Sequence, residues 1–269
     1  FISLDCDRKA FIQDYLNRAG LNAPVISLEG KNHIYVKFPQ SQYDPMFKVK
    51  TVIAHYDRVL NSPGANDNSA AVFCLLEWAV QLSKMKQPHN IRLIFTDGEE
   101  QGENGVSSQG AFPLAQVFRR LGILDDEIYV FDCMGRGDVP VICENNFTGD
   151  EHNDSIIKNV NKNTANFLSQ YAALENKVQK ILNKASGGKW FKLPCQYSDN
   201  ASFIANGIPS VAITMLPSSE INDFLKTGEK PYTWKILHTP EDNLENLTPA
   251  AFEITAAILS NLALSKTVL

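Results

Sequence analysis

The sequence carries no excess of positive charge: 25 lysines and arginines stand against 30 aspartates and glutamates, a formal net charge of -5. Without a basic surface nothing is available to neutralise a phosphate backbone, so nucleic acid is excluded as an expected partner. No apolar run approaches the roughly 20 residues that cross a bilayer, and no membrane span is expected. The five cysteines, Cys6, Cys74, Cys133, Cys143 and Cys195, are too few and too scattered for a disulfide framework, and none forms the close pair of a zinc ribbon. They read as small core residues, with a bridge between Cys143 and Cys195 left open for an exported protein. Internal repeats, low-complexity tracts and an interdomain linker are also absent, which leaves one domain over residues 1–269 as the expectation. The chain does not begin with Met, and its first residues are not a charged-then-apolar leader. A secreted or periplasmic protein stripped of its leader is the expected compartment, with the cytoplasm as the alternative.

What is present suffices for a core: 44% of residues are hydrophobic and 20% charged, the balance of a globular protein rather than a disordered one. Residues 7–19 place Phe11, Ile12, Tyr15 and Leu16 on one helical face, and Gly20 follows as a stop. Two β-branched runs, 34–38 and 50–54, read as strands, the second running into His55-Tyr56-Asp57. A turn-rich loop over 62–68 precedes an apolar helix over 69–84. A strand over 90–96 leads into Asp97-Gly98-Glu99-Glu100 with a helix over 113–121 beyond it, and a strand over 127–131 ends in Asp132. This alternation predicts an α/β fold, in which ligands gather outside the carboxyl ends of the strands. Further along, 154–184 reads as an amphipathic helix burying Leu168, Tyr171, Ala172, Val178, Ile181 and Leu182. Residues 186–200 read as loop, 201–205 as a short helix, 210–214 as a strand and 217–235 as irregular. A helix over 248–264, capped by Thr248, closes the chain.

Histidines and carboxylates stand at the ends of these elements: His55 and Asp57, Asp67, Glu99 and Glu100, Asp132, and His238. Taken singly each is weak, because loop carboxylates and hydrogen-bonded His-Asp pairs are common in folded proteins. Taken together, one sheet edge would gather two imidazoles and several carboxylates in one space. Such a cluster repels itself, raising carboxylate pKa values, unless a divalent cation reverses the cost. Imidazole nitrogen mixed with carboxylate oxygen suits zinc, and the missing cysteine pair argues for a catalytic site with an open position.

The ordered segments His55-Tyr56-Asp57, Gly64-Ala65-Asn66-Asp67-Asn68, Gly98-Glu99-Glu100, Asp132 and His238-Thr239-Pro240-Glu241-Asp242 resemble those of the co-catalytic zinc aminopeptidases of peptidase family M28. The resemblance runs from about residue 50 to the end and includes Ser198-Asp199-Asn200 and Gly207-Ile208-Pro209-Ser210. It implies the zinc-dependent exopeptidase fold, three α/β/α layers around a mixed, mostly parallel sheet. It also implies two zinc ions bridged by Asp67, with His55 and Asp132 completing one and Glu100 and His238 the other. Asp57 would orient the His55 ring, and Glu99 would be the general base that takes a proton from a zinc-activated water and passes it to the leaving amine. In enzymes of this kind the peptide bond at the position of Asp67 and Asn68 is cis. The implied substrate is a peptide with a free amino terminus. Trp190, Phe191, Tyr197, Tyr232 and Trp234 lie in the segments where relatives build the wall for the first side chain, although aromatic residues equally often pack loops onto a core.

The sharpest rival is a glutaminyl cyclase, a family that shares the fold and similar Glu-Glu and His-Thr-x-x-Asp-Asn segments. It would use one zinc at Asp67, Glu100 and His238 to cyclise an amino-terminal glutamine. Asn66-Asp67-Asn68 after Pro63-Gly64 resembles the peptidases more closely. A binding domain that has lost catalysis is disfavoured because Glu99 and all five ligand positions are filled. The carboxypeptidase and deacylase relatives are disfavoured because no segment is long enough for their inserted lid.

Overall fold

The computed structural model describes residues 1–124, 126–145 and 164–269. Helix α1 (Arg8–Arg18) starts at Asp7, whose carboxylate accepts the backbone N–H of Ala10 as a cap. A hairpin of β1 (Val25–Leu28) and β2 (Lys31–Val36) follows, then β3 (Lys50–His55) and α2 (Ala70–Ser83). Next come β4 (Ile91–Thr96), α3 (Ala111–Arg120), β5 (Glu127–Phe131), β6 (Val139–Cys143) and α4 (Thr164–Ser186). The chain continues through β7 (Phe191–Leu193), α5 (Asn200–Ala205), β8 (Ser210–Leu216), α6 (Ser218–Thr227), α7 (Tyr232–Ile236) and α8 (Pro249–Leu264).

The strands form one sheet in the order β1-β2-β4-β3-β5-β8-β6-β7. Its centre, β4-β3-β5-β8, is parallel, while β1, β2 and the β6–β8 pairing are antiparallel. Central parallel strands are covered on both faces, so they are apolar throughout, and alternate residues belong to different cores. Val52 and Ala54 of β3, Leu93 and Phe95 of β4, and Tyr129 and Phe131 of β5 pack against α1, α2, α4 and α8. Ile53, Ile94, Ile128 and Val130 point the other way, onto α3 and the residues of α5 around Phe203. Helices on both faces of a mixed, mostly parallel sheet make three α/β/α layers, the architecture that the family resemblance implied.

Several elements differ from the sequence expectation. Residues 25–28 and 139–143 form strands not foreseen, and 191–193 adds an edge strand inside a stretch read as loop. The stretch 217–235 is not irregular, because α6 and α7 occupy most of it; Ile221, Phe224 and Trp234 pack beside Val139 and Leu216 at the sheet's edge. Of the helix expected over 154–184, residues 154–163 lie outside the described residues. In the remainder the buried stripe runs through Phe167, Tyr171, Leu174, Val178, Ile181 and Leu182, leaving Leu168 40% exposed and Ala172 on the outer face. The expected stripe began one residue late, since Phe167, four residues before Tyr171, supplies the anchor.

Candidate metal centre

The parallel register brings His55, the last residue of β3, level with Thr96, the last of β4, so the loops that follow both strands open at the same edge. Asp132 directly follows β5, the neighbour of β3 on the other side. His55, Asp67, Glu100, Asp132 and His238 all converge there. One oxygen of Asp67, Oδ1, lies 3.1 Å from Nε2 of His55, and the other, Oδ2, lies 3.1 Å from Nε2 of His238. Nε2 of His55 is also 3.5 Å from Asp132, and Nε2 of His238 is 3.1 Å from Glu100. The acidic side chain in the middle thus faces two imidazoles, each with a second carboxylate beside it.

Side chains next to the convergent residues hold the loops in this arrangement. The Asn68 amide donates to the carbonyl of Phe131 at 2.8 Å and its oxygen accepts the N–H of Cys133 at 3.2 Å, bracketing Asp132. The Asn66 oxygen accepts the N–H of Gly135 at 2.7 Å. Asp242, four residues beyond His238 and fully buried, accepts the N–H groups of Asn66 at 2.7 Å and Asp67 at 3.1 Å. The carboxylate of Asp57 accepts the N–H groups of Glu99 at 3.1 Å and Glu100 at 3.2 Å, and it lies 3.5 Å from Nδ1 of His55. The peptide bond between Asp67 and Asn68 is cis. Cys133 and His238 both adopt left-handed backbone, at φ 54 and φ 64, a conformation that costs non-glycine residues energy and gathers at functional sites.

The electrostatics are those of crowded carboxylates sharing too few protons. Burial pushes Glu100 up to about 7 and Glu99 well above the ordinary carboxylate range. Hydrogen bonding to Asp67 and Glu100 raises His238 to about 11. Burial opposes the charge of His55, yet Asp132, Asp57 and Asp67 outweigh it and raise its pKa. Burial likewise opposes ionisation of Asp67, and the two imidazoles overcome it and hold its carboxyl low. In this balance protonated imidazoles stand in for cations. Both ring nitrogens of His55 and Oδ1 of Asp132 are buried without a well-directed hydrogen bond, although Nε2 lies close to two carboxylates. Buried donor atoms that are near each other but unbonded fit a metal ion, and the set of imidazole and carboxylate fits zinc. Among the described residues, ligand atoms of His55, Asp67 and Glu100 lie within 4.8 Å of one another, as do those of Asp67, Asp132 and Cys133.

Glu99 borders the same cleft, which has a volume of about 400 Å³. Its Oε1 accepts the amide of Gln109 at 3.0 Å, and Gln109 in turn accepts the hydroxyl of Ser202 at 2.7 Å. Gln109 had no sequence signal; only its return to the sheet edge beside Gly98 reveals it. Asp199, within the matched Ser-Asp-Asn segment, is fully buried beneath the cleft, hydrogen-bonded by Thr96 and pushed up to about 7 by burial. Of the five aromatic residues considered for the side-chain wall, Tyr197 and Trp234 line the cleft. Trp190 packs on the main core, while Phe191 and Tyr232 are 39% and 48% exposed. All five cysteines are free, and Cys133, Cys143 and Cys195 lie in the cleft wall.

The sequence profile of peptidase family M28 matches residues 33–263. Aminopeptidase YwaD of Bacillus subtilis is 39% identical over 77 residues, 29% of this chain and 16% of that protein. The LapA aminopeptidase structure of Legionella pneumophila superposes with a TM-score of 0.67 at 15% identity, covering 98% of this chain and 66% of that one. The glutaminyl cyclase of Porphyromonas gingivalis superposes with a TM-score of 0.63 at 18% identity, covering 94% and 87%. At such identities the two structures establish a shared fold. The chain spans just under two thirds of LapA and about a sixth of the curated relative it matches.

Proposed function

Because the chain belongs to peptidase family M28, we propose that it is a two-zinc aminopeptidase that hydrolyses the amino-terminal peptide bond of a peptide. The observation that carries this reading is Asp67, whose two oxygens each lie 3.1 Å from a different imidazole. His55 and Asp132 would hold one ion together with Asp67, and Glu100 and His238 would hold the other. Asp57, beside Nδ1 of His55, would fix the ring so that Nε2 faces the ion. When bound, the ions supply positive charge that acidifies a water and polarises the scissile carbonyl.

The remaining work falls to the chain itself. Glu99, whose proton affinity burial raises, takes a proton from the attacking water and delivers it to the leaving amine. Gln109 occupies one of its oxygens and leaves the other for the water. Asp67, Glu99, Glu100 and Asp132 outnumber Lys230 and His238 in the cleft lining, an excess of carboxylate that favours a substrate end carrying an ammonium group, and internal peptide bonds lack one. Tyr197, Trp234 and Leu237 offer an apolar wall to the first side chain.

A second reading, cyclisation of an amino-terminal glutamine at one zinc, is favoured by the short distances among Asp67, Glu100 and His238, a three-ligand group complete without His55. Metal analysis combined with a panel of aminoacyl and glutaminyl substrates separates the two. Two zinc ions per chain and release of free amino acid support the peptidase; one ion and pyroglutamate formation support the cyclase. Glu99→Gln should lower kcat by about 10²–10⁴-fold while zinc content is kept, and unchanged turnover would remove Glu99 from the mechanism.

A further inference from the structure

Arg8 lies well before residue 33, where the family match starts, yet its side chain ends against the loop that joins His55 to Asp67. It opens α1 and is only 5% exposed. Its Nη1 donates to the carbonyls of Tyr56 at 3.0 Å and Asp57 at 3.2 Å, the two residues that follow His55. Its Nη2 donates to the carbonyls of Pro63 at 2.7 Å and Gly64 at 3.4 Å and to Oγ of Ser69 at 3.1 Å, groups that flank the turn carrying Asp67. Nε donates to the carbonyl of Phe1 at 3.2 Å. One planar fork thus joins the start and the end of the loop between His55 and Asp67. The approach is close by construction: Gly64 has φ 58, and a Cβ there would lie 3.0 Å from Nη2 and 2.5 Å from the carbonyl oxygen of Asp67. A side chain at that position would push the fork and the turn apart.

We propose that Arg8 is a positioning residue for the metal pair, setting the separation of His55 and Asp67 through its hydrogen bonds to the loop that joins them. The inference rests on the two-zinc reading and adds a part of the chain that the family match does not include. Geometry and charge predict opposite effects here. A fixed cation near Asp67 and Asp57 repels a divalent ion, so charge alone would make loss of Arg8 tighten zinc binding. Loss of the fork would let the two ligands drift apart and weaken it, as happens when partners that orient metal ligands are removed. Arg8→Lys separates these, because lysine keeps the charge but cannot span both pairs of carbonyls with one ammonium group.

The test is titration of the metal-free full chain with zinc against a chromophoric chelator, for wild type, Arg8→Lys, Arg8→Met and the milder Ser69→Ala, alongside melting of the metal-free proteins. Wild type reports on the two-zinc reading by its stoichiometry, independently of the variants. The expected result is that Arg8→Lys and Arg8→Met each weaken zinc binding by about 10–100-fold, that Ser69→Ala weakens it less, and that the ion on the His55 side is lost first. Three results would overturn the proposal. The first is wild-type zinc affinity in Arg8→Lys and Ser69→Ala; the second is tighter binding in Arg8→Met. The third is a lowered melting temperature with unchanged zinc affinity, which would make Arg8 a stabilising residue only. If Arg8→Met does not fold, the other two variants decide.

Discussion

The metal-free protein should lose stability relative to the zinc-loaded protein as pH rises from 5 to 8. The sign follows from the groups at the site. Glu100 and Asp199 have folded pKa values near 7, from ordinary values of 4.5 and 3.8. A carboxyl raised in the folded state favours folding while it holds its proton; that advantage is complete below its unfolded pKa and is lost as pH climbs to the folded one. His238, raised to about 11 from 6.5, acts in the same direction, its contribution complete below about 6.5 and lost as pH climbs toward 11. Asp67 and Asp57 are lowered and act oppositely, but their contribution is already complete above about pH 4 and adds no slope in this window. At 1.36 kcal/mol per pKa unit, the rise of Glu100 from 4.5 to about 7 corresponds to about 3 kcal/mol. Asp199 is of similar size, though two groups in one cluster do not add fully. With about 2–4 °C per kcal/mol for a chain of this length, the metal-free melting temperature should fall by roughly 5–10 °C relative to that of the zinc-loaded protein between pH 5 and 8; His33 and His89, which burial lowers to about 4, gain stability with pH up to about 6.5 in both forms and cancel in that difference. Bound zinc stabilises the ionised carboxylates, so the loaded protein should not share the loss that Glu100 and Asp199 impose on the metal-free one. Calorimetry at four pH values, in chelator and in excess zinc, measures both curves. A difference between the two melting temperatures that stays constant or narrows as pH rises would refute the reasoning.

Other perturbations test separate parts of the site. Asp132→Asn should weaken the ion on the His55 side, so that metal analysis after dialysis finds one tightly held zinc instead of two. Gln109→Leu removes the hydrogen bond to Glu99, and steady-state kinetics should show kcat lower by about tenfold with zinc content unchanged. Gly137→Ala would place a Cβ 2.2 Å from the carbonyl carbon of Leu216 at a backbone φ of 127; denaturant unfolding should show a loss of about 1–3 kcal/mol or more.

How much of this was legible in the chain depended on the kind of signal each element carries. The central strands over 50–55, 91–96 and 127–131 are runs buried on both faces, and such runs announce themselves. Edge strands do not. The strand over 191–193 exposes Phe191 and Lys192 and is defined by its pairing with Val141 and Ile142, which a local pattern cannot contain. The helices over 218–227 and 232–236 were hidden by the surrounding prolines and by Gly228, which end one helix and introduce the next. Gln109 and Arg8 illustrate the same limit at the site. Gln109 contacts Glu99 at ten residues' separation and Ser202 at 93, and Arg8 contacts Tyr56 and Pro63 at 48 and 55, through bonds that no spacing rule expresses.

The convergent residues themselves were legible for a physical reason that the hydrogen bonds reveal. Each loop reaching the site must be fixed against another loop, since no regular ladder continues beyond the strand ends. Each group that does the fixing lies within a few residues of one convergent side chain and holds the segment of a different one. Asp57 holds Glu99 and Glu100 two residues after His55; Asn66 and Asn68 hold the Asp132 segment from either side of Asp67; Asp242 holds Asp67 four residues after His238. Convergent residue and brace therefore occupy one short run, and the run carries a pattern that single residues lack. Arg8, like Gln109, lies outside these runs, and it braces the loop between His55 and Asp67 from a helix with no residue in the cleft lining. A brace carried by a separate element can be changed without touching any of the convergent runs, so substitutions at Arg8 should vary metal affinity while leaving those runs intact.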